Sequence, residues 1–353
     1  MKSEAEVYSA STDRSRNDGG RARVIRIEGP ALPYDPTYHL LGRVDKIRAL
    51  VRRERPDVLE VNSPYLAMAG ALVAGRAHVG IRTFFWHADF IDTYLRVMLE
   101  RRVSSRGADV ALAPAWAAVR AMLHACDATF ATSKWQVAKL RHHGVDNVVH
   151  VPFGVDKRVF NPDARSDARR SELAEGASTL LVGVGRFAVE KRWDVVIDAF
   201  RKSARDGWRL VLFGDGPDRA ALEARARGLN VAFLGFEKDR ARLAGALASA
   251  DLLVHGCPYE TFGLGVAEAM SCGLPVVVPD EGGASESVDA SCGEIYASRD
   301  ADACAAAIAR LLARDRGELR ASALRAAQKI GALEDHFEDV LDAYRSLLAR
   351  RAK

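Results

Sequence analysis

From Thr179 to Tyr296 the sequence switches repeatedly between two periods, and that alternation limits the folds open to it. Short apolar runs predict strands at Thr179–Val184, Arg209–Phe213, Val231–Leu234, Asp251–Val254, Pro275–Val278 and Glu294–Tyr296. Helical spacing between them predicts helices at Arg192–Ala204, Asp218–Arg227, Asp239–Ser249 and Gly263–Cys272. The strands are apolar along their length rather than at every second residue. A sheet tolerates that only when both of its faces are covered. Strand–helix alternation with such strands gives a parallel, doubly wound α/β sheet.

The first half repeats the pattern less regularly. Strands are predicted at Arg23–Ile27, Val58–Val61, Ile81–Trp86 and Cys126–Ala131, and helices at Tyr38–Arg53 and Tyr65–Ala74. A further helix begins after Ser133, a good N-cap, runs to His142 and is closed by Gly144. Two series joined near Pro152–Pro162 imply two domains, which 353 residues can fill. The expected division is a polar lead-in at 1–20, a first domain at 21–165, a second at 166–332 and a final helix at 333–353. Ligands of such sheets bind beyond the carboxyl ends of the strands, here in a cleft between the domains.

Composition excludes several classes. The net charge of +4 is too small to announce a nucleic-acid binder, though it permits a local basic patch on an anionic membrane. The five cysteines form no CxxC pair, which argues against a zinc ribbon or a disulfide framework and for free thiols in a reducing compartment. The first 20 residues contain no apolar signal core, and no stretch has the roughly 20 apolar residues of a membrane helix. The most apolar candidate, 110–128, is broken by Pro114, Arg120 and His124. A cytoplasmic protein is expected, with peripheral contact at the inner membrane face as a further expectation.

The most informative stretch runs from Glu260 to Glu268 and on to Val277. Gly263 and Gly265 open a helix whose first N–H groups are left uncovered for an anion. Glu260 stands just before that opening. Glu268 lies about one and a half turns inside, where a carboxylate can accept hydrogen bonds from vicinal hydroxyls such as those of a ribose. Two glutamates at arbitrary spacing would more often be a dipole partner and a solvated residue.

The whole string resembles the E-x7-E element of the family-4 retaining glycosyltransferases, which have the GT-B fold. Four other segments extend the resemblance: Gly154-Val155-Asp156 with Phe160 and Pro162; Gly185-Arg186 with Glu190-Lys191; Gly214-Asp215-Gly216-Pro217; and Gly282-Gly283 with Glu286. Five motifs in order over residues 125–300 are far more specific than any one of them. The resemblance implies two Rossmann-like domains, with the terminal helix crossing back to the first. It implies that Glu260 holds hydroxyls of the donor sugar, that Glu268 holds the ribose, and that Arg186 and Lys191 clamp the diphosphate. Gly185, Phe262, Gly263 and Leu264 complete the donor site. Two cations with helix N–H groups can stabilise the leaving diphosphate without a metal or other cofactor.

Phe84-Phe85-Trp86-His87-Ala88-Asp89-Phe90 is similar to the family's H-T-D-F segment, with Ala88 at the threonine position. His87 at a strand end could polarise the acceptor or touch the transferred sugar. A lone histidine among aromatics is otherwise more often structural. Three features favour plainer readings. Asp300-Ala301-Asp302 caps a helix rather than binding a metal nucleotide. Gly19-Gly20 precedes a strand and so is no phosphate loop. Cys257, in the His255-Gly256-Cys257-Pro258 that replaces the family's usual Pro-Ser, reads as a small buried residue.

One departure stands out. The family opens with a strand, a Gly-rich loop and a helix, and no such unit is legible before Arg23, so the first domain at 21–165, on the acceptor side, is expected to be incomplete. The expected function is retaining transfer of a hexose, mannose first, from a nucleotide-diphosphate sugar to a lipid or glycan acceptor. GDP-mannose is the favoured donor, with a UDP-sugar second. The alternatives are a non-catalytic nucleotide-sugar-binding subunit that needs a partner, and a sugar-nucleotide epimerase of the same fold.

Overall fold

The computed structural model describes residues 4–9, 23–28, 31–32, 35–39, 43–63, 66–100 and 102–352. The chain divides into two compact units. One holds Met1–Phe85, Ala117–Phe130 and Ala343–Lys353; the other holds Trp86–Trp116 and Ala131–Asp342.

The opening residues differ from the expected polar lead-in. Strand β1 (Glu4–Ser9) pairs antiparallel with β2 (Arg23–Glu28), with Val7 opposite Ile25. Its Glu-Ala-Glu-Val pattern has the period of a strand, which its polar content conceals. Residues 10–22, with Gly19-Gly20, lie outside the described residues. The helix expected at 38–53 is divided. A two-stranded ribbon of β3 (Ala31–Leu32) and β4 (Asp35–His39) comes first, and the helix itself is Val44–Glu54. Helix Val44–Glu54 buries Ile47 and Val51 with Ile27, Ala74 and Val79.

Strands β5 (Val58–Val61), β6 (Ile81–Trp86), β7 (Ala128–Ala131) and β8 (Val148–His150) form a sheet in that order, and β5 runs parallel to β6. In the first unit Asp127 accepts from the backbone N–H of Arg82 at 2.7 Å and pairs with Arg76. The Tyr344 hydroxyl donates to Glu60, and its ring lies against Phe130. The last turns of helix Leu333–Arg351 thus pack on β5 and β7.

The stretch at 110–128 that looked most membrane-like lies largely in helix Ser105–His124, which contains Pro114. Among the described residues no helix is long and apolar enough to cross a membrane. Residues 91–96 form a π-helical turn. Beneath it the Lys139 ammonium bonds both Asp89 and Asp92, and Arg96 bonds Asp92 at 2.8 Å.

His143 stacks on Trp116 with ring centroids 3.7 Å apart. Burial, with His142 and Lys139 nearby, pulls its pKa down from 6.5 to about 4. Between those pH values the unfolded chain binds a proton at this position and the folded chain does not, so acid favours unfolding. Stability should therefore fall as pH drops from 6.5 towards 4, by on the order of 1–2 kcal/mol after allowing for partial exposure. His143→Phe should flatten that part of a denaturation-midpoint curve, and an unchanged slope would reject the assignment.

The second unit carries a six-stranded sheet in the order β11-β10-β9-β12-β13-β14. The strands are β9 (Thr179–Val184), β10 (Trp208–Phe213), β11 (Val231–Gly235), β12 (Leu252–Val254), β13 (Val276–Pro279) and β14 (Gly293–Tyr296), and every pair is parallel. Each face has its own core. Leu180, Val182, Val211, Leu253 and Val276 pack with helices Arg240–Ser249, Leu264–Ser271 and Arg316–Ala327. Leu181, Leu210, Leu212, Leu252 and Val277 pack with helices Trp193–Ser203 and Ala301–Leu312. Neighbouring residues of one strand thus enter opposite cores, which is why the strands show no polar face. Asp300 caps helix Ala301–Leu312, accepting from the N–H groups of Asp302 and Ala303, as expected. All five cysteines are buried free thiols.

Candidate functional site

The chain enters the six-stranded sheet at β9, moves outward to β11, then returns across to β12 on the other side of β9. The loops after β9 and β12 therefore leave adjacent strands and diverge, which opens a crevice at their carboxyl ends. The loop after β9 carries Gly185, Arg186 and Lys191. The loop after β12 carries His255, Cys257, Glu260, Phe262 and Gly263.

Backbone packing holds both loops. Gly185 N–H donates to Phe213 O at 3.0 Å, and Phe187 N–H donates to Asp215 O at 2.9 Å. A Cβ at Gly214 would come within 1.9 Å of Gly185 O, and one at Gly216 within 2.3 Å of Phe187 O. The Gly-x-Gly-Pro turn is therefore a floor under the Arg186 loop, and only glycine lets the two backbones meet. The Trp193 Nε1–H donates to Arg186 O at 2.8 Å from below. Across the crevice, Gly283 N–H donates to Glu260 O at 2.7 Å. That contact is the work of the Gly282-Gly283 segment. Glu286 accepts from the N–H groups of Lys134 and Trp135 at the start of helix Lys134–His142.

The side chains converge on one ion pair. Lys191 Nζ lies 2.5 Å from Glu260 Oε1, and both groups are partly buried. Burial opposes both charges, but the partner together with its neighbours outweighs it: His255 and Cys257 help Lys191 lower Glu260, and Cys257 and Glu190 help Glu260 raise Lys191. The Glu260 carboxyl is held below the usual carboxylate range, and the Lys191 ammonium is pushed above the usual lysine value. Helix Leu264–Ser271 opens at Gly263, whose φ of +88° is a conformation favouring glycine. A Cβ at Gly265 would meet nothing within 4 Å, so space lies open beside the helix's first turn. Glu268 is buried on that helix and pairs with Arg240 Nη2 at 2.6 Å. Burial raises the Glu268 pKa and Arg240 opposes the rise. The Arg240 guanidinium lies 4.5 Å over the Phe160 ring. Phe160 of the Gly-Val-Asp segment thus touches the partner of Glu268 as well as the core.

The model for glycosyl transferases group 1 matches residues 164–330, and that for glycosyltransferase family 4 matches residues 2–159. A GDP-mannose-dependent alpha-(1-6)-phosphatidylinositol dimannoside mannosyltransferase of Mycobacterium tuberculosis is 35% identical over 312 residues. The match covers 87% of this chain and 79% of that protein. The chain belongs to glycosyltransferase family 4. A GDP-mannose-dependent alpha-mannosyltransferase of the same organism is 31% identical, covering 77% of this chain and 68% of the relative. Sucrose-phosphate synthase from Thermosynechococcus elongatus superposes with a TM-score of 0.73 at 23% identity, covering 87% of this chain and 77% of that one. Anabaena HepE in complex with UDP and glucose gives 0.68 at 18%, covering 85% and 81%. These neighbours establish the GT-B fold.

In this family 4 glycosyltransferase the structure brings Lys191 and Glu260 into contact and sets Arg186, Phe262 and Gly263 on the same two loops. Leu264 is exposed on the first turn of the helix. Phe262 meets Phe153 edge-on at 5.8 Å. His87 is exposed at the end of β6, and its carbonyl accepts from the Thr261 hydroxyl at 2.9 Å. Thr261, the residue after Glu260, thereby ties the loop to the His87 backbone. Asp89 turns inward to Lys139 and is structural. The family 4 model is met from residue 2, and ahead of Arg23 the described residues form β1 alone. Arg240 and Thr261 were not legible as site residues, because their partners arrive from 28 and 174 positions away. Among the described residues, His255, Cys257 and Glu260 bring together ligand atoms of the kind that hold a metal.

Proposed function

We propose that this glycosyltransferase moves mannose from GDP-mannose to a lipid-borne glycan acceptor, with retention of configuration and without a metal. The observation that carries the reading is the Lys191–Glu260 pair at the switch point of the sheet, beside Arg186 and an uncovered helix start. The GDP-mannose dependence named for two relatives supports the donor, and the phosphatidylinositol dimannoside named for one supports a lipid acceptor. Residues 166–332 would bind the donor, 21–165 would face the acceptor, and 333–353 would be the crossover helix. The reaction would run at the cytoplasmic face of the membrane that holds the acceptor.

Each residue then has a task. Lys191 and Arg186 balance the charge that builds on the diphosphate as its bond to the sugar breaks. Glu260 accepts hydrogen bonds from sugar hydroxyls, and Lys191 keeps it ionised for that purpose. N–H groups of the turn opened by Gly263 and Leu264 receive phosphate oxygens, with Gly185 turning the end of β9 into the Arg186 loop opposite. Phe262 lies along the sugar. Glu268 exchanges its bond to Arg240 for the ribose hydroxyls, and Arg240 is freed towards the nucleotide. His87 faces the acceptor.

The test is binding followed by turnover. GDP and GDP-mannose at about 100 times their Kd should each stabilise the fold by roughly 2.7 kcal/mol in thermal denaturation, with UDP and ADP conjugates well behind. Glu268→Ala should weaken GDP binding roughly 10- to 100-fold, the worth of hydrogen bonds to a charged group. Turnover with a mannosylated phosphatidylinositol should then give a product with the α-anomeric configuration of the donor. Binding without turnover on any acceptor would point to a non-catalytic subunit. Donor conversion without an acceptor would point to an epimerase. An unchanged GDP affinity in Glu268→Ala would overturn the nucleotide site.

A further inference from the structure

The loop after β12 departs from its family where His255-Gly256-Cys257-Pro258 replaces the usual Pro-Ser, and the donor site gives neither His255 nor Cys257 a task. A ring nitrogen of His255, Cys257 Sγ and a Glu260 carboxylate oxygen all lie within 4.8 Å of one another. Both residues are buried, His255 with 7% of its surface exposed and Cys257 with 2%. His255 Nε2 has no hydrogen-bond partner. Glu260 Oε1 is 3.6 Å from it, beyond hydrogen-bond reach. A buried ring nitrogen without a partner is unfavourable unless something else completes it.

Imidazole, thiolate and carboxylate together form a donor set suited to Zn2+, which binds them at about 2.0–2.3 Å. Ligand atoms on a tetrahedral zinc are roughly 3.3–3.8 Å apart at those bond lengths, so side-chain rotations that close the triangle by about 1 Å suffice. We infer that the loop after β12 binds Zn2+ through His255 Nε2, Cys257 Sγ and Glu260, in competition with the donor sugar. The competition rests on the donor role proposed above for Glu260; the metal site does not. On binding, the Cys257 thiol releases its proton to solvent. Its thiolate and the Glu260 carboxylate together balance the metal's charge. The Lys191 ammonium, displaced from Glu260, turns towards solvent, and a water takes the fourth position. Zn2+ thus removes Glu260 from the sugar and separates it from Lys191, which makes the site inhibitory.

The experiment is a Co2+ titration of the metal-free full chain, because cobalt bound to a thiolate shows charge-transfer absorption in the near ultraviolet. One equivalent should produce that band, and one equivalent of Zn2+ should bleach it. Cys257→Ser should lose the band, and His255→Asn should raise the Co2+ midpoint at least tenfold, with circular dichroism checking that both variants fold. No band in the parent chain, or a full band in Cys257→Ser, overturns the site. In activity assays Cys257→Ser should resist Zn2+ at concentrations that inhibit the parent. Saturating GDP-mannose should move the Co2+ midpoint upward at least tenfold. A Cys257-dependent band that GDP-mannose leaves unmoved overturns the competition and the donor role of Glu260, while the metal site stands.

Discussion

Lys191→Ala is expected to lower kcat roughly 10²- to 10³-fold, the usual consequence of removing one preorganised group that stabilises developing negative charge. The effect has two sources. The leaving diphosphate loses a cation, which Arg186 alone does not replace. Glu260 also loses the partner 2.5 Å away that keeps its carboxylate ionised despite burial. With Lys191 gone, the opposing effect of burial meets only the weaker help of His255 and Cys257, so the Glu260 pKa rises. A carboxyl that has gained a proton donates where the sugar hydroxyls need an acceptor. The acid limb of the kcat/KM profile should accordingly move to higher pH in Lys191→Ala. Glu260→Gln should lose that limb altogether. The double variant Lys191→Ala/Glu260→Gln should be less impaired than the product of the single losses, because the two side chains act as a unit. Steady-state rates with GDP-mannose over pH 5–9 read all three results. A Lys191→Ala variant that kept a tenth of the parental kcat with an unmoved acid limb would remove Lys191 from the chemistry.

The Lys191–Glu260 pair also shows where sequence reading stops. Each motif was legible alone, because glycines next to charged residues at a strand end mark a loop that receives an anion. Their contact was not, since 69 positions separate the partners and only the strand order makes their loops neighbours. The six-stranded sheet was legible almost strand for strand, since Leu180 and Leu181 enter opposite cores and leave no polar face to confuse the period. Near the amino terminus the physics differs. The alternation of β1 is carried by Ala5 and Val7 on either side of Glu6, so the polar count hides a strand. β4 is Asp35-Pro36-Thr37-Tyr38-His39, in which Tyr38 and the leucines after it mimic helical spacing. The tie between Thr261 and His87 spans 174 positions and leaves no local trace.

Trp193→Ala joins stability to the donor loop and should produce the largest loss of stability. The Trp193 side chain is 2% exposed, packs edge-on against Phe187 at 6.1 Å and fills the space that Gly183 and Gly185 leave over their strand. Truncating a buried tryptophan to alanine costs about 3–5 kcal/mol, from lost burial and the cavity left behind. At roughly 2–4 °C per kcal/mol for a unit of this size, Tm should fall by about 6–20 °C. The ring's Nε1–H also holds Arg186 O at 2.8 Å, so the cavity lies directly below a residue assigned to the diphosphate. Trp193→Phe separates the two effects. It keeps most of the apolar volume and loses the donor, which should cost about 1–3 kcal/mol for the bond and the unsatisfied carbonyl. In that variant the KM for GDP-mannose should rise several-fold, while kcat at saturation changes little. The loop then samples more positions before the diphosphate binds, yet adopts the same one once it has. A Trp193→Phe enzyme with unchanged KM would show that the loop keeps its shape without this bond. In that case the Gly214–Gly216 floor alone would position Arg186.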